Sequence, residues 1–230
     1  MPHPIDSQIQ QGMQQQLQQW REALQNGAKR LGWKVGFNRE CDQQAANLPS
    51  LQIGYMLAER SYQQTGHHLC INGGTLLVEG EIAIYMAQPL AANASPAEAE
   101  AAIGHYAAAI ELINTDLTSG NDICSLLTSN LVHEAVVLGG HTPETLNLEQ
   151  LTANLTINDQ PIRTLDKSRV PDSYAALLCQ VANTLAEHGE QLQAGDWVIT
   201  GAATTPAPVS RGDTIQFQLG ELSPLSLTIT

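Results

Sequence analysis

The fold of this chain is decided by the stretch LLVEGEIAIYMAQPL, residues 76–90. Two acids, Glu79 and Glu81, lie one residue apart in this apolar run, with no adjacent Lys or Arg. Side chains alternate along a β-strand, so both glutamates share one face with Ala83 and Tyr85. The opposite face is wholly apolar and must pack against another part of the protein. The face with the acids therefore borders a cavity or solvent.

A third acid of the same kind lies in AAAIELINT, residues 107–115. Glu111 is flanked there by Ile110 and Leu112, and an acid in an apolar strand needs a partner. Carboxylates held close together repel, and each raises the pKa of the other. A hard divalent cation such as Mg²⁺ or Mn²⁺ relieves this repulsion because it prefers oxygen ligands. Together with Glu79 and Glu81, Glu111 predicts a three-carboxylate metal site.

The alternative interpretation places the first two acids in solvent. Glu79 and Glu81 would then lie on the exposed face of an edge strand, which is a common position for an E-x-E pattern. Glu111 weighs against this alternative, because two separate acidic anomalies on apolar segments are harder to explain as solvated faces.

Lys34 is the most informative of the three lysines in the chain. It lies between Trp33 and Val35 in GWKVGFN, residues 32–38, on a predicted strand. An ammonium there could face the acids or bind an anionic substrate, and a partly buried lysine has a movable pKa that suits proton transfer. The alternative is a surface lysine whose stem runs past Trp33.

Composition and charge exclude several classes of partner. The chain has 230 residues, 43% of them hydrophobic, and a formal net charge of −13. Such a field repels nucleic acids and acidic membrane surfaces, so we expect neither as a partner. An anionic substrate would need local positive charge. The four cysteines are widely spaced, the N-terminus lacks an apolar signal region, and no apolar run reaches about 20 residues, which together predict a cytoplasmic protein.

The order of predicted elements favours an α+β fold. Apolar residues recur at steps of three and four over residues 5–31, which predicts an amphipathic helix. Capping signals predict helices at 95–109 and 173–189. Strands are predicted at 32–38, 51–57, 75–88, 109–116, 130–140 and 151–159 and in three short segments of the C-terminal tail. Because the elements do not alternate regularly, a doubly wound sheet is disfavoured. We expect a helical N-terminal part, residues 1–50, packed on a main domain, residues 51–230.

Five segments together resemble one known family. They are GWKVGFN, VEGEIAIYMAQPL, AAIELINTD, AVVLGG and the C-terminal stretch that begins LQAGDWVITGA. In this order and spacing they are similar to the 2-oxopent-4-enoate hydratase and 4-oxalocrotonate decarboxylase group of the fumarylacetoacetate hydrolase superfamily. The resemblance covers most of the chain. It implies a mixed β-roll for the main domain, and it also implies a homo-oligomer.

The resemblance also implies the chemistry of the site. Mg²⁺ or Mn²⁺ would be held by the three glutamates, and Lys34 would act near the substrate in proton transfer or carboxylate binding. Thr200 and Gly201, in VITGA, match a loop that contacts the substrate carboxylate. The implied substrates are short 2-oxo acids with a 4,5 double bond, bound through their 2-oxo and carboxylate oxygens.

The sequence departs from the family pattern in three places. Gln52 stands among the substrate-contacting positions where relatives usually carry an acid that assists the lysine. A segment that is usually rich in glycine and alanine reads TLDKSRVPDSYAALL here, residues 164–178. After Asn130, the usual serines are replaced by Leu131, Val132 and His133. His133 is a candidate catalytic base, although a histidine on a strand is more often structural.

The sequence leaves three functions open. The first is a metal-dependent hydratase of a 2-oxo-4-alkenoate. The second keeps the metal and the enolate but decarboxylates a 2-oxo diacid or cleaves a C–C bond. The third, of another class, is a non-catalytic descendant that binds an oxo acid or only keeps the fold.

Overall fold

The computed structural model describes residues 4–63, 67–69, 75–140 and 149–230. Within these ranges the α-helices are α1 (Pro4–Gln25), α2 (Glu40–Ala45), α3 (Pro96–Ala102), α4 (Ile123–Thr128) and α5 (Tyr174–Glu187). The first strands are β1 (Arg30–Gly36), β2 (Gln52–Leu57), β3 (Ser61–Gln63), β4 (His67–Leu69), β5 (Leu76–Met86), β6 (Ile103–Asn114) and β7 (His133–Leu138). The remaining strands are β8 (Ala153–Ile157), β9 (Gln160–Thr164), β10 (Trp197–Ala202), β11 (Ala207–Val209), β12 (Thr214–Leu219) and β13 (Leu225–Ile229).

The strands form two sheets. The larger sheet has the order β2-β1-β10-β5-β6-β7-β3, with β11 paired to the start of β5. The smaller sheet has the order β4-β13-β12-β8-β9. Strand β5 pairs with β6 on one side and with β10 and β11 on the other, so it is a central strand. The edge-strand interpretation of the two glutamates on β5 is therefore wrong.

The large sheet curls into a roll, and its connectivity requires this. The two ends of its strand order, β2 and β3, are joined by only three residues, Ala58–Arg60. Six strand spacings in a flat sheet would separate these ends by roughly 29 Å. The connection can reach only about 14 Å. The sheet therefore bends until its ends approach each other, which confirms the predicted α+β class and mixed β-roll.

The main core lies between the large sheet, the small sheet and the helices. On β5 it is formed by Val78, Ile82 and Ile84, which lie on the face opposite the two glutamates. The two sheets approach each other closely at Gly80 of β5. A Cβ built on Gly80 would lie 2.2 Å from Cε2 of Phe217 on β12, so a side chain there has no room. The glycine between the two glutamates thus lets the aromatic ring pack against the β5 backbone while the acids point to the other face.

Helix α1 covers part of this core with one apolar face. Met13, Leu17 and Trp20 are buried, and the tryptophan ring lies 5.0 Å from that of Trp33 on β1. The predicted helix over 5–31 is too long at its C-terminal end, because α1 ends at Gln25 and β1 begins at Arg30.

The predicted helix over 95–109 is wrong after its first two turns. Its start is as expected, since Ser95 and Glu98 form a capping box. The helix ends at Ala102, and residues 103–114 form β6. The alanines of this segment favour a helix, but pairing with β5 along the length of the strand outweighs that propensity.

Strand β1 belongs to the large sheet, although it lies within the first 50 residues. It pairs with β2 on one side and with β10 on the other. The division at residue 50 stays a prediction, as do the homo-oligomer and the cytoplasmic location. In the described part of the chain, no helix has the length and apolar character needed to cross a membrane.

Candidate metal centre

Three glutamates converge at the middle of the large sheet. In the register of β5 and β6, Glu79 lies directly opposite Glu111, and Glu81 follows on the same face of β5. One carboxylate oxygen from each lies within 4.8 Å of the others. Three such oxygens can hold one hard divalent cation and leave room for further oxygen ligands. The structure therefore brings together the three residues that the sequence singled out.

Two of these carboxylates resist ionisation. Burial and the nearby charge of Glu111 raise the pKa of Glu79 to about 7. Burial and the same neighbour raise the pKa of Glu81 well above its ordinary value. One oxygen of Glu81 accepts a hydrogen bond from the Gly201 amide at 2.9 Å, and the other is buried without a hydrogen-bond partner among the described residues. A buried oxygen without a donor fits a cation ligand.

The third carboxylate has the opposite environment. Oε1 of Glu111 lies 2.6 Å from the Lys34 ammonium and 2.7 Å from Nδ1 of His133. Burial opposes ionisation of Glu111, but the charge of Lys34 and the bond to His133 outweigh it and lower its pKa to about 2. Glu111 is therefore a permanent anion in the metal-free protein.

A strained turn helps to hold Lys34 in place. Asn130, Leu131 and Val132 have φ values of 56°, 51° and 54°, which non-glycine residues rarely adopt in succession. The side chain of Asn130 bonds both the amide and the carbonyl of Tyr55 on β2, at 2.8 and 2.9 Å. With the turn held this way, the Leu131 carbonyl accepts a hydrogen bond from the Lys34 ammonium at 3.2 Å.

Gly54 on β2 makes room for this arrangement. It lies opposite Lys34 in the register of β1 and β2. A Cβ at this position would lie 2.8 Å from both Cγ of Lys34 and Oδ1 of Asn130. Glycine therefore allows the buried lysine stem and the asparagine clamp to occupy the same side of the strand.

A cavity of about 510 Å³ opens over the centre. Its charged lining consists of Lys34, Asp42, Glu79, Glu111 and Arg169. Much of the remaining lining is apolar and includes Val35, Phe37, Ile113, Leu126, Leu131 and Val132. A cavity of this size, with a few polar groups on an apolar wall, suits a small organic acid.

Comparison with known proteins gives the family. A family model described as "Fumarylacetoacetate (FAA) hydrolase C-terminal" matches residues 22–230. The chain belongs to the fumarylacetoacetate hydrolase family. Among curated relatives of this family member, a 4-oxalocrotonate decarboxylase from a Pseudomonas species is 24% identical over 90% of this chain and 81% of its own. A 2-oxo-hept-4-ene-1,7-dioate hydratase from Escherichia coli is 23% identical with the same coverage of both chains.

A solved structure shares the fold of this fumarylacetoacetate hydrolase family member. It is 4-oxalocrotonate decarboxylase from Pseudomonas putida G7, complexed with magnesium and adipate. The TM-score is 0.85 and the sequence identity 22%, over 94% of this chain and 83% of the solved one. At this identity the likeness establishes the fold, and the relatives named above catalyse different reactions.

The other sequence-predicted residues of this family member occupy three different surroundings. Thr200 and Gly201 lie beside Glu81, where a register shift in β10 frees the Gly201 amide to bond that carboxylate. The Thr200 hydroxyl is buried and donates to the Ile82 carbonyl at 3.0 Å. Gly201 lines the cavity.

Gln52 and His133 do not line the cavity over the centre. Gln52 is buried at the start of β2, and its amide donates to the Ser50 carbonyl at 3.1 Å. It borders a separate cavity near α1 and α5. His133 contacts Glu111 and borders another cavity of about 640 Å³. Whether either residue acts in the reaction stays a prediction.

Two residues of the site, Asn38 and Arg169, were not predicted from the sequence. Asn38 lies just after β1 and donates from Nδ2 to the carbonyls of Thr200 and Arg169. Arg169 lies in the segment that departs from the family pattern, and it enters the cavity lining from there. A search for cations in segments that differ from relatives could have found Arg169, whereas the Asn38 contacts depend wholly on the tertiary fold.

Proposed function

We propose that this fumarylacetoacetate hydrolase family member is a Mg²⁺- or Mn²⁺-dependent lyase that hydrates a short 2-oxo-4-alkenoate. The observation that carries the proposal is the convergence of three carboxylates within 4.8 Å, two of which line a cavity that also contains a buried lysine. Bringing three acids together at a site where two are buried and one is half-buried has no structural benefit, since each costs free energy unless it is paired. A cation and an oxo acid would account for all of them.

The donor set fits a hard cation. Glu79, Glu81 and Glu111 would supply three oxygens, and the orphaned Glu81 oxygen would gain a partner. When bound, the cation would supply Lewis acidity that stabilises negative charge on the 2-oxo oxygen of the substrate. The magnesium found in the Pseudomonas putida relative supports this choice of ion for the present chain.

Lys34 is the residue of this chain best placed to move a proton. Its ammonium bonds Glu111 and the Leu131 carbonyl, so one of its three N–H groups is left for the cavity. In this position Lys34 can donate a proton to a substrate carbon or orient a substrate carboxylate. The Gly201 backbone, which lines the cavity beside Glu81, would border the carboxylate end of the substrate.

His133 would act through Glu111 rather than on the substrate. Its Nδ1 lies 2.7 Å from Oε1 of Glu111, and His133 is not among the residues that line the cavity over the centre. We therefore assign it a positioning role, in which it orients the Glu111 carboxylate toward the cation. A His133→Asn variant is expected to lose metal affinity and turnover together.

Decarboxylation of a 2-oxo diacid is the second candidate reaction. The position of Gln52 favours it, because this side chain cannot take a proton and lies outside the cavity. A hydration that needs a second acid beside Lys34 would lack one there, whereas loss of CO₂ would not need it. The curated relatives include both kinds of enzyme.

The test of the proposed function is an absorbance assay with the magnesium-loaded protein. A panel of 2-oxo-4-alkenoates and unsaturated 2-oxo diacids separates the two reactions, since only decarboxylation releases CO₂. Lys34→Met should abolish turnover. Activity that survives in Glu79→Gln and Glu111→Gln would overturn the metal mechanism.

A calorimetric titration separates an enzyme from a non-catalytic descendant. Mg²⁺ or Mn²⁺ is expected to bind the wild-type protein, and pyruvate or oxalate is expected to bind only after the metal. No binding of metal, or binding that is unchanged in Glu111→Ala, would support a scaffold without catalysis instead.

A further inference from the structure

Arg169 is a second cation in the cavity over the metal centre. It ends the short 3₁₀ turn Lys167–Arg169, which lies in the segment that departs from the family pattern. Of the described residues that line the cavity, only Lys34 and Arg169 are cationic. Lys34 is already bonded to Glu111. In a chain of net charge −13, a further cation at the site calls for an anionic partner.

The turn that carries Arg169 is fixed to the strand that borders the centre. The Asp166 amide donates to the Ala203 carbonyl at 2.9 Å, just after β10. Asn38 donates from Nδ2 to the Thr200 carbonyl at 2.9 Å and to the Arg169 carbonyl at 3.3 Å. These bonds join the backbone of the turn to β1 and β10, so the position of Arg169 relative to the glutamates is set by the sheet.

The end of the Arg169 side chain keeps its bonding capacity. Nε lies 3.2 Å from Oδ2 of Asp166, and the two terminal nitrogens make no hydrogen bond to another described residue. A guanidinium held at Nε still offers several N–H groups, in a fork that matches a carboxylate. The other anion near this part of the cavity, Asp42, is already bonded by Arg39 at 2.6 and 2.7 Å.

Arg169 also acts electrostatically on the centre. Its charge is among the influences that lower the pKa of Glu79, against the larger effects of burial and Glu111 that raise it. Arg169, Glu79 and Glu111 therefore line the same cavity, and the charge of Arg169 acts on Glu79. Without metal, the glutamate end of the cavity is negative and the Arg169 end is positive. A divalent cation would bind at the glutamate end, so that both ends of the metal-loaded cavity would attract anionic groups.

We propose that Arg169 binds the distal carboxylate of a dicarboxylic 2-oxo acid whose 2-oxo-carboxylate end lies at the three glutamates. The inference rests on the proposed function and narrows its substrate class to 2-oxo diacids over monoacids. A six-carbon diacid fits a cavity of about 510 Å³. The partly buried ion pair with Asp166 alone is a weak reason for an arginine here, because i,i+3 pairs that keep contact with solvent contribute little stability.

The test compares two ligands that differ only at the distal end. Titration calorimetry of the magnesium-loaded full chain measures the affinities of 2-oxoadipate and 2-oxohexanoate, and the wild type should prefer the diacid. In Arg169→Gln the ratio of the two affinities, measured at saturating Mg²⁺, is expected to fall about tenfold to hundredfold, as for loss of a charge-assisted bidentate bond. Lys167→Gln is the matched control, since Lys167 shares the turn but lines a different cavity.

The outcomes separate this inference from the proposed function. Equal affinity of the wild type for both ligands would overturn the role of Arg169 and leave the lyase intact. An Arg169→Gln variant that weakens both ligands equally, or a Lys167→Gln variant with the same effect on the ratio, would also overturn it. If neither ligand binds the metal-loaded wild type, the proposed function fails and the inference fails with it.

A second variant covers a failure of Arg169→Gln to fold. Arg169→Lys keeps the charge and the ion pair with Asp166 but loses the planar fork. It is expected to lower the diacid preference severalfold while 2-oxohexanoate binds as in the wild type. A preference unchanged in Arg169→Lys would overturn bidentate binding by the guanidinium.

Discussion

The Lys34 ammonium lies 2.6 Å from Oε1 of Glu111, and both side chains are almost fully buried. This ion pair makes the three glutamates unequal. Glu111 stays ionised down to a pKa of about 2, because Lys34 and His133 outweigh the effect of burial. Glu79 and Glu81 instead have raised pKa values, chiefly because of burial. The centre therefore holds one carboxylate that is ionised at neutral pH and two that hold their protons more tightly than an ordinary glutamate does.

Removing the lysine should destabilise the metal-free protein. Lys34→Met leaves Glu111 buried without its cation, and breaking a buried pair in this way costs about 3–5 kcal/mol. Urea unfolding without metal measures the loss. Lys29→Met is the matched control, because Lys29 is exposed, and its unfolding free energy should stay within about 0.5 kcal/mol of the wild type. Equal stability of the two variants would contradict the buried pair.

Metal affinity should rise with pH through the neutral range. Protons and the cation compete for the same oxygens, and Glu79 has a pKa of about 7 while that of Glu81 is also raised. Mg²⁺ should therefore bind more weakly at pH 6 than at pH 8 and release protons as it binds. Calorimetry in buffers of different ionisation enthalpy counts these protons. A pH-independent affinity without proton release would contradict the raised pKa values.

The glutamate cluster could be predicted from the sequence because strand alternation is a local property. Glu79 and Glu81 sit at positions i and i+2 of an apolar strand, and Glu111 stands in the strand that pairs with it. The segment over 103–109 could not be assigned in this way. Its helical propensity is local, whereas the pairing with β5 that overrides it depends on the whole sheet.

The residues around the glutamate cluster that hold it in place could not be predicted from the sequence, for a different reason. Leu131 and Val132 have no preference for positive φ, so these residue types do not predict the strained turn that they form. The turn exists because Asn130 clamps the backbone of Tyr55, which is distant in the chain. Arg169 likewise lies at the cavity because its turn is bonded to distant parts of the chain, by Asn38 at the Arg169 carbonyl and by the Asp166 amide at the Ala203 carbonyl.

Glu79 should make the metal-free protein less stable as pH rises. Its pKa is about 7 in the fold and near 4.5 ordinarily, so the folded state binds the proton more tightly. The proton on Glu79 therefore stabilises the fold fully below pH 4.5, and this stabilisation is lost as pH rises through 7. The free energy of unfolding should fall by about 2 kcal/mol over this range, a figure reduced because Glu79 is partly exposed. Glu111 has the opposite sign, but its window lies below pH 4.5, since its pKa is about 2.

A glutamine variant isolates this effect. Glu79→Gln cannot ionise, so its unfolding free energy without metal should fall less than that of the wild type between pH 5 and pH 8. Added Mg²⁺ should stabilise the wild type at pH 8 and this variant much less. Glu221→Gln, at an exposed turn position, serves as the control and should follow the wild type. Parallel curves for Glu79→Gln and the wild type would show that Glu79 is not the group responsible.

Gly80→Ala should disturb both the core and the centre, because this residue lies between two of the metal-binding candidates. The added methyl would lie 2.2 Å from Cε2 of the fully buried Phe217, so the sheets must separate or β5 must shift. Overpacking of this kind costs about 1–3 kcal/mol or more, and any shift of β5 moves Glu79 and Glu81 as well. Urea unfolding and Mg²⁺ calorimetry should show losses of both stability and affinity. Phe217→Leu removes the ring that clashes, so the alanine should cost less in that background than in the wild type. If Gly80→Ala costs the same with and without the ring, the close approach of the two sheets is not what requires glycine at this position.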